Sequence, residues 1–212
     1  MTLETEIDPN TKAILAAVTK RVLLDADAAS LKIVDVGCGG GRLLEELCAR
    51  GVKQLTGVGW DVAVPSLALT FEKTDLSQAG WASTLDGRKY DWVVSTEVIE
   101  HLVNPFQFLS ELRRIVAEDG RLLLTFPNVH NLRSILGFAW AGRFSGFFGP
   151  NFNENHSLHD QHIFIPNMHL VHYFLKLTGF SLEEVAWVNG SYRLTSQTTM
   201  LVARPCNPIV LP

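Results

Sequence analysis

The chain has 212 residues, 47% hydrophobic and 19% charged, with a formal net charge of −4. That length and composition exclude a disordered segment and provide for one sizeable buried core, and the negative balance removes any global attraction to nucleic acid. No apolar run reaches the ~20 residues of a membrane-spanning helix. The acidic start, Met1 to Asp8, has no secretory pattern, and the three cysteines at 38, 48 and 206 lack metal-like spacing, so the expected location is a reducing cytoplasm.

Taken in chain order, Thr11 to Leu24 places Ile14, Leu15, Val18 and Val22 on one face of a leading helix. This helix packs on the core or lids a ligand. Leu31 to Val36 reads as a buried strand. Arg42 to Arg50 reads as a helix with Leu43, Leu44 and Leu47 inward and Gly51 just past its end. Gln54 to Gly59 is a second strand, Asp61 to Thr70 has room for a short helix, and Phe71 to Thr74 and Tyr90 to Ser95 are further strands. Asn104 then caps a helix with Pro105 at its first position and Phe108, Leu109, Leu112, Ile115 and Val116 inward. Arg121 to Phe126 is a fifth strand. Phe180 to Val188 and Leu194 to Ala203 alternate about the turn Asn189-Gly190-Ser191 and predict a terminal hairpin. Strands alternating with helices predict an α/β, Rossmann-like, doubly wound sheet of seven mostly parallel strands with an antiparallel C-terminal hairpin. No linker divides the chain, which reads as one domain over 1–212.

The first strand runs into Asp35-Val36-Gly37-Cys38-Gly39-Gly40-Gly41. Glycines at this place let a ligand lie on bare backbone at the strand's carboxyl end. The dinucleotide fingerprint G-x-G-x-x-G fails, because its sixth position is Arg42. An anionic pyrophosphate also gains nothing from Asp35, whereas an acid suits a cationic ligand such as a sulfonium or an ammonium. An NAD-dependent dehydrogenase is therefore disfavoured.

With Asp35, Gly37, Gly39 and Gly41, the loop resembles the first motif of class I S-adenosylmethionine-dependent methyltransferases, and further segments resemble that family over residues 30–128. Within the family, the chain looks similar to the ubiquinone-pathway O-methyltransferase group. The resemblance implies S-adenosyl-L-methionine as cofactor and S-adenosyl-L-homocysteine as product. Cys38, between the glycines, reads as a small packing residue. The family's ribose-binding acid falls on Gly59 in strict alignment, and Asp61 two residues later takes its place, with Trp60 against the adenosine. Asp75 and the N–H of Leu76 match the adenine contacts. Asp91 to His101 resembles the family's D-x-V-x-x-x-x-V-x-E-H segment, which puts Thr96 and Glu97 near the methionine part of the cofactor. Pro127 and Asn128 match the P-N of the acceptor pocket.

Methyl transfer to a hydroxyl calls for a base, and His101 is the candidate because imidazole titrates near neutrality. The leading reading uses no metal. An alternative is a cation held by Glu97, Glu100, His101 and His162, for residues at i, i+3 and i+4 can share a helical face. Small-RNA 3′-terminal 2′-O-methyltransferases look similar at this segment, although this chain lacks the basic surface RNA needs. Residues 129–166 form an acceptor-side insertion or lid. Its stretch from Leu132 to Phe148 is aromatic, punctuated by glycines, and charged only at Arg133 and Arg143. It suits a small or lipid-like acceptor, with peripheral membrane contact through 135–148, Phe147 and Phe148 included. The remaining alternative is a binding or scaffolding module that keeps the fold without the cofactor, which Gly59 leaves open.

Overall fold

The computed structural model describes residues 8–24, 29–60, 70–148 and 161–209. Its strands are β1 Lys32–Val36, β2 Gln54–Gly59, β3 Thr70–Lys73, β4 Tyr90–Thr96, β5 Val116–Pro127, β6 Phe180–Val188 and β7 Thr198–Pro205. They form one sheet in the order β3-β2-β1-β4-β5-β7-β6. The first five are mutually parallel, and β7 runs antiparallel between β5 and β6. The expected sheet and its C-terminal hairpin are both present.

Residues of the central strands go alternately to two cores. Val34, Val36, Val58, Val93, Leu122 and Leu124 face one side. Ile33, Leu55, Trp92, Val94, Leu123 and Val202 face the other. A strand covered on both faces is apolar at nearly every position, which is why β1 reads as a continuous hydrophobic run. Helices α1 Pro9–Val22 and α2 Arg42–Ala49 cover the second core, and α3 Pro105–Ile115 covers the first. Asp8 caps α1 by accepting from the Asn10 and Thr11 amides, and Asn104 caps α3 by accepting from Gln107 at 3.0 Å.

Two elements differ from expectation. The second hairpin strand begins at Thr198, not Leu194. The residues before it are held in a turn, with the Thr195 and Ser196 amides both donating to the Tyr192 carbonyl. Among the described residues of the insertion only α4, Leu132–Ala141, is an α-helix, and Gly142 ends it in the left-handed region at φ 67°. A further helix, α5 Met168–Leu177, has no counterpart in the sequence reading. Asn167 caps it, and Val171 and Leu175 bury its inner face. The short helix expected over 61–70 lies outside the described residues apart from Thr70, which belongs to β3.

The parallel strands all end on the same edge of the sheet. Chain order reverses between β1 and β4, and such a switch point opens a crevice beyond the strands' carboxyl ends.

Candidate cofactor and acceptor site

The loop after β1 closes on three left-handed glycines, Gly37, Gly39 and Gly41, at φ 88°, 48° and 76°. A side chain at Gly37 has no room, because an added Cβ would stand 2.2 Å from Val98 Cγ2. The Gly37 and Cys38 amides both donate to the Val58 carbonyl, at 2.7 and 3.2 Å, and tie the loop to the end of β2. The result is bare backbone facing a cleft of about 390 Å³, within the usual range for a small-molecule site.

Seven of the expected residues line this cleft: Gly37, Gly39, Trp60, Asp75, Leu76, Glu97 and His101. Asp35, Cys38, Gly41 and Thr96 are not among the residues that line it, and Asp61 lies outside the described residues. Gly59 also lines the cleft, so no side chain at that point of β2 reaches toward a ribose.

Asp35 is only 1% exposed, and its Oδ1 has no hydrogen-bonding partner. Burial pushes its carboxyl up to about 7. Cys38 is pushed up to about 12, first by burial and then by the neighbouring Asp35 charge. It is therefore a thiol that packs rather than reacts. Asp75 is held at the rim by Ser77, whose amide and hydroxyl donate to Oδ1 at 2.9 and 2.6 Å, and by Gln78 at 3.1 Å.

The segment after β4 turns sharply. Glu97 takes the left-handed region at φ 51°, and its amide donates to the Thr125 carbonyl and hydroxyl, each at 3.1 Å. Such a conformation is costly for a residue with a Cβ, and it persists where neighbouring contacts over-determine it. A single 3-10 turn follows at Ile99–His101. Glu97, Glu100 and His101 therefore do not share a helical face, which corrects the spacing argument.

A second cavity, of about 330 Å³, lies beyond Glu97 toward the insertion. Pro127 and Asn128 line it, as expected. So do Asn10 from α1, Asn131 and Arg133 from the start of α4, and Gln197 and Thr198 at the start of β7. Asn131 and Arg133 belong to the insertion expected on the acceptor side, whereas Asn10, Gln197 and Thr198 were not singled out by the sequence. The signal was available, since an antiparallel strand beside β5 must start where β5 ends, and Pro127 does pair with Thr198. Asn128 is only 2% exposed and ties this wall together. Its side-chain amide donates to the Arg193 and Ser196 carbonyls at 2.6 and 2.9 Å, and its Oδ1 accepts from the His130 amide at 3.1 Å.

At the junction of the two cavities stand Glu100, His101 and His162, whose ligating atoms lie within 4.8 Å of one another. Three of the four residues of the expected metal alternative are thus brought together, and Glu97 stands outside the set. Burial pushes the Glu97 carboxyl up to about 7, with a hydrogen bond to Thr125 opposing. Burial and then the Glu97 charge push Glu100 well above the carboxylate range. His162 is held down to about 4 by burial and then by His101, with the nearby Gly146 backbone pulling weakly the other way.

The insertion corrects one expectation. Phe147 is 1% exposed and lies 5.1 Å from the His162 ring, so it belongs to the site's interior and not to a surface. Phe148 is exposed, and so are the apolar side chains of α4: Leu132, Ile135, Leu136, Phe138 and Trp140. Among the described residues no helix is long and apolar enough to cross a membrane.

A family model described as "Methyltransferase domain" matches residues 9–185. The chain is 33% identical over 105 residues to the mitochondrial ubiquinone biosynthesis O-methyltransferase of Arabidopsis thaliana, covering 46% of this chain and 33% of that protein. It is 29% identical over 125 residues to the ubiquinone biosynthesis O-methyltransferase of Cereibacter sphaeroides, covering 53% of this chain and 49% of that one. The chain thus spans a third to a half of these curated relatives. A magnesium protoporphyrin IX methyltransferase from Synechocystis PCC 6803, solved with bound S-adenosylhomocysteine, has the same fold with a TM-score of 0.63 at 20% identity, covering 94% of this chain and 89% of that one. With the glycine loop, the switch-point cleft and the antiparallel β7 all in place, the chain belongs to the methyltransferase domain family and has the class I S-adenosylmethionine-dependent fold.

Proposed function

We propose that this chain methylates a hydroxyl oxygen of a small or lipid-like acceptor. One observation carries the reading: Glu97 lines both the 390 Å³ cleft beside the glycine loop and the 330 Å³ cavity beside Asn128. Two small-molecule sites that share one wall residue suit a reaction between two bound partners. S-adenosylmethionine supplies a methyl group on a sulfonium, which an acceptor oxygen takes with release of a neutral thioether.

The chain's own residues position and activate. The glycine loop gives close backbone approach, Trp60 offers an aromatic face to the adenosine, and Asp75 accepts from its amino group. Asp61 takes the ribose. Most of the acceleration in such a displacement comes from alignment at near-contact distance. A hydroxyl must also lose its proton, and His101 is the group that activates it. Its Nδ1 lies 3.1 Å from the Gln161 carbonyl, which can only accept, so Nδ1 carries the hydrogen and Nε2 the lone pair. Ubiquinone-pathway relatives named as O-methyltransferases support oxygen as the acceptor atom. The exposed apolar face of α4 supports a lipid-like acceptor or a lipid surface.

The test is calorimetric titration with S-adenosylhomocysteine, followed by labelled methyl transfer to a panel of phenols, catechols and amines. Micromolar binding and labelled ethers are expected, with at least tenfold weaker binding in Asp61→Ala. No binding would end the methyltransferase reading, and label only on nitrogen would end the oxygen reading. Co-sedimentation with anionic liposomes, lost in a Leu136→Ser, Trp140→Ser double variant, tests the α4 surface; equal sedimentation of wild type and variant rejects it.

A further inference from the structure

The first turn of α4 opens onto the acceptor cavity, which its cap Asn131 and its residues Arg133 and Ser134 all line. Ser134 is 2% exposed and is the only buried residue of α4. Its amide donates to the Asn131 cap at 2.8 Å, but its hydroxyl has no hydrogen-bonding partner among the described residues. A hydroxyl taken out of water against a cavity wall is costly unless something bonds to it. The amides of the same turn are divided in the same way. Leu132 donates to the Leu194 carbonyl at 2.9 Å and Ile135 to the Asn131 carbonyl at 3.0 Å, whereas the Arg133 amide has no acceptor among the described residues.

Arg133 adds a full charge at this place. Arg88, Arg114 and Arg121 pair with glutamates, and Arg143 donates to the Phe148 carbonyl. The Arg133 guanidinium has neither an ion pair nor a hydrogen bond among the described residues. It is also the only fixed cation that lines the acceptor cavity, and Glu97 is the only acid. The two mark different ends. Glu97 is shared with the cofactor cleft, and Arg133 is shared with a third cavity beside α4 that Phe144 and Phe147 line.

We propose that Arg133, the Ser134 hydroxyl and the N-terminus of α4 bind a carboxylate of the acceptor, so that the substrate is a hydroxy acid. This rests on the proposed methyl transfer and names its substrate class. A guanidinium fork matches the two oxygens of a carboxylate, and a helix N-terminus adds roughly half an elementary charge and a free amide. A phosphate, with three acceptor oxygens and nearly two charges, calls for a second cation, and no other fixed cation lines the cavity. With the carboxylate held at the Arg133 end, the hydroxyl lies toward Glu97 and the cofactor cleft. The carboxylate takes no part in the displacement. It orients the acceptor, and orientation is where most of the acceleration arises.

The experiment compares meta- and para-hydroxybenzoate and para-hydroxycinnamate with their methyl esters. Binding is measured by calorimetry on the chain loaded with S-adenosylhomocysteine, and turnover by labelled methyl transfer. At least one of the acids is expected to bind about tenfold or more tightly than its ester and to yield a labelled ether. The acid-to-ester ratio should fall to within about twofold in Arg133→Gln and by about threefold or more in Ser134→Ala. S-adenosylhomocysteine affinity should stay within about twofold of wild type in both, which shows that the variants fold. A merely structural loss would weaken acid and ester alike and leave the ratio in place. No preference for any acid in the wild type, or a preference that survives Arg133→Gln, overturns the proposal. So does label released by mild base, because it marks a methyl ester and makes the carboxylate the reacting group. Where the preference is absent but S-adenosylhomocysteine still binds, the methyltransferase reading stands and only the carboxylate site falls. A wild-type chain that binds no S-adenosylhomocysteine removes both.

Discussion

At the residue scale, two positions beside the glycine loop do different work. Gly37 is fixed by geometry: its φ of 88° and the 2.2 Å approach of an added Cβ to Val98 leave no place for a side chain. Gly37→Ala should destabilise the chain by about 1–3 kcal/mol of backbone strain and weaken S-adenosylhomocysteine binding at least tenfold by calorimetry. Adding Val98→Ala removes the overlap but not the φ strain, so it should restore part of the loss and not all of it. Asp35 is fixed by charge. Burial raises its folded pKa to about 7 from 3.8, so the fold keeps a proton that the unfolded chain releases. Stability is then unpenalised below the unfolded pKa, falls as pH climbs, and carries the full penalty above about pH 7, ~4 kcal/mol at most. Asp35→Asn removes this dependence. In chemical denaturation of the ligand-free chain, the variant's stability relative to wild type should rise steadily from about pH 4 to about pH 8, while its affinity for S-adenosylmethionine falls. A constant difference across that range would contradict the burial argument.

At the element scale, the acceptor cavity depends on how the end of β5 is joined to the approach to β7. Asn128 makes that joint by donating to two carbonyls of the 193–196 turn and accepting from the His130 amide. Asn128→Ala leaves those buried groups without partners, at about 1–3 kcal/mol for each unsatisfied group. A fall in Tm of several degrees is expected, with a raised acceptor KM and S-adenosylhomocysteine affinity within about twofold. The split between acceptor and cofactor is the informative result, because a general loss of folding would weaken both. α4 shows a different relation between element and core. Of its ten residues only Ser134 is buried, so the helix owes its place to the Asn131 cap and the stacking of Phe138 on Phe144 at 4.8 Å, not to a buried apolar face. Its apolar side is left for whatever approaches the acceptor cavity.

At the scale of the whole molecule, binding in the switch-point cleft should stabilise the entire sheet, because the cleft is walled by the ends of β2 and β4 and by the loop after β1. At a hundredfold excess over Kd, S-adenosylhomocysteine adds about 2.7 kcal/mol, a rise in Tm of about 5–10 °C for a chain of this size. NAD at the same concentration should give no shift, since Arg42 breaks the dinucleotide fingerprint. The sheet was legible beforehand because its signals are local: apolar runs for strands buried on both faces, 3.6-residue periodicity for α2 and α3, and caps at Asn104 and Gly51. The glycine loop was legible for the same reason, as a left-handed backbone demands glycine wherever it occurs. α5 carries the same kind of signal, an Asn167 cap with Val171 and Leu175 one turn apart, but it is short and follows an irregular insertion. The junction site was only half legible. The residue types at 97, 100, 101 and 162 pointed to a ligand set, but the left-handed turn at Glu97 put that residue outside the cluster. The sequence by itself determined the parallel sheet, the glycine cradle and the kind of ligand it suits, because each follows from a few neighbouring residues. Only the tertiary structure decided that His162 meets Glu100 and His101 and that Glu97 divides two cavities. Those meetings depend on how the insertion folds back across the strand ends, a packing of distant segments that no local periodicity encodes.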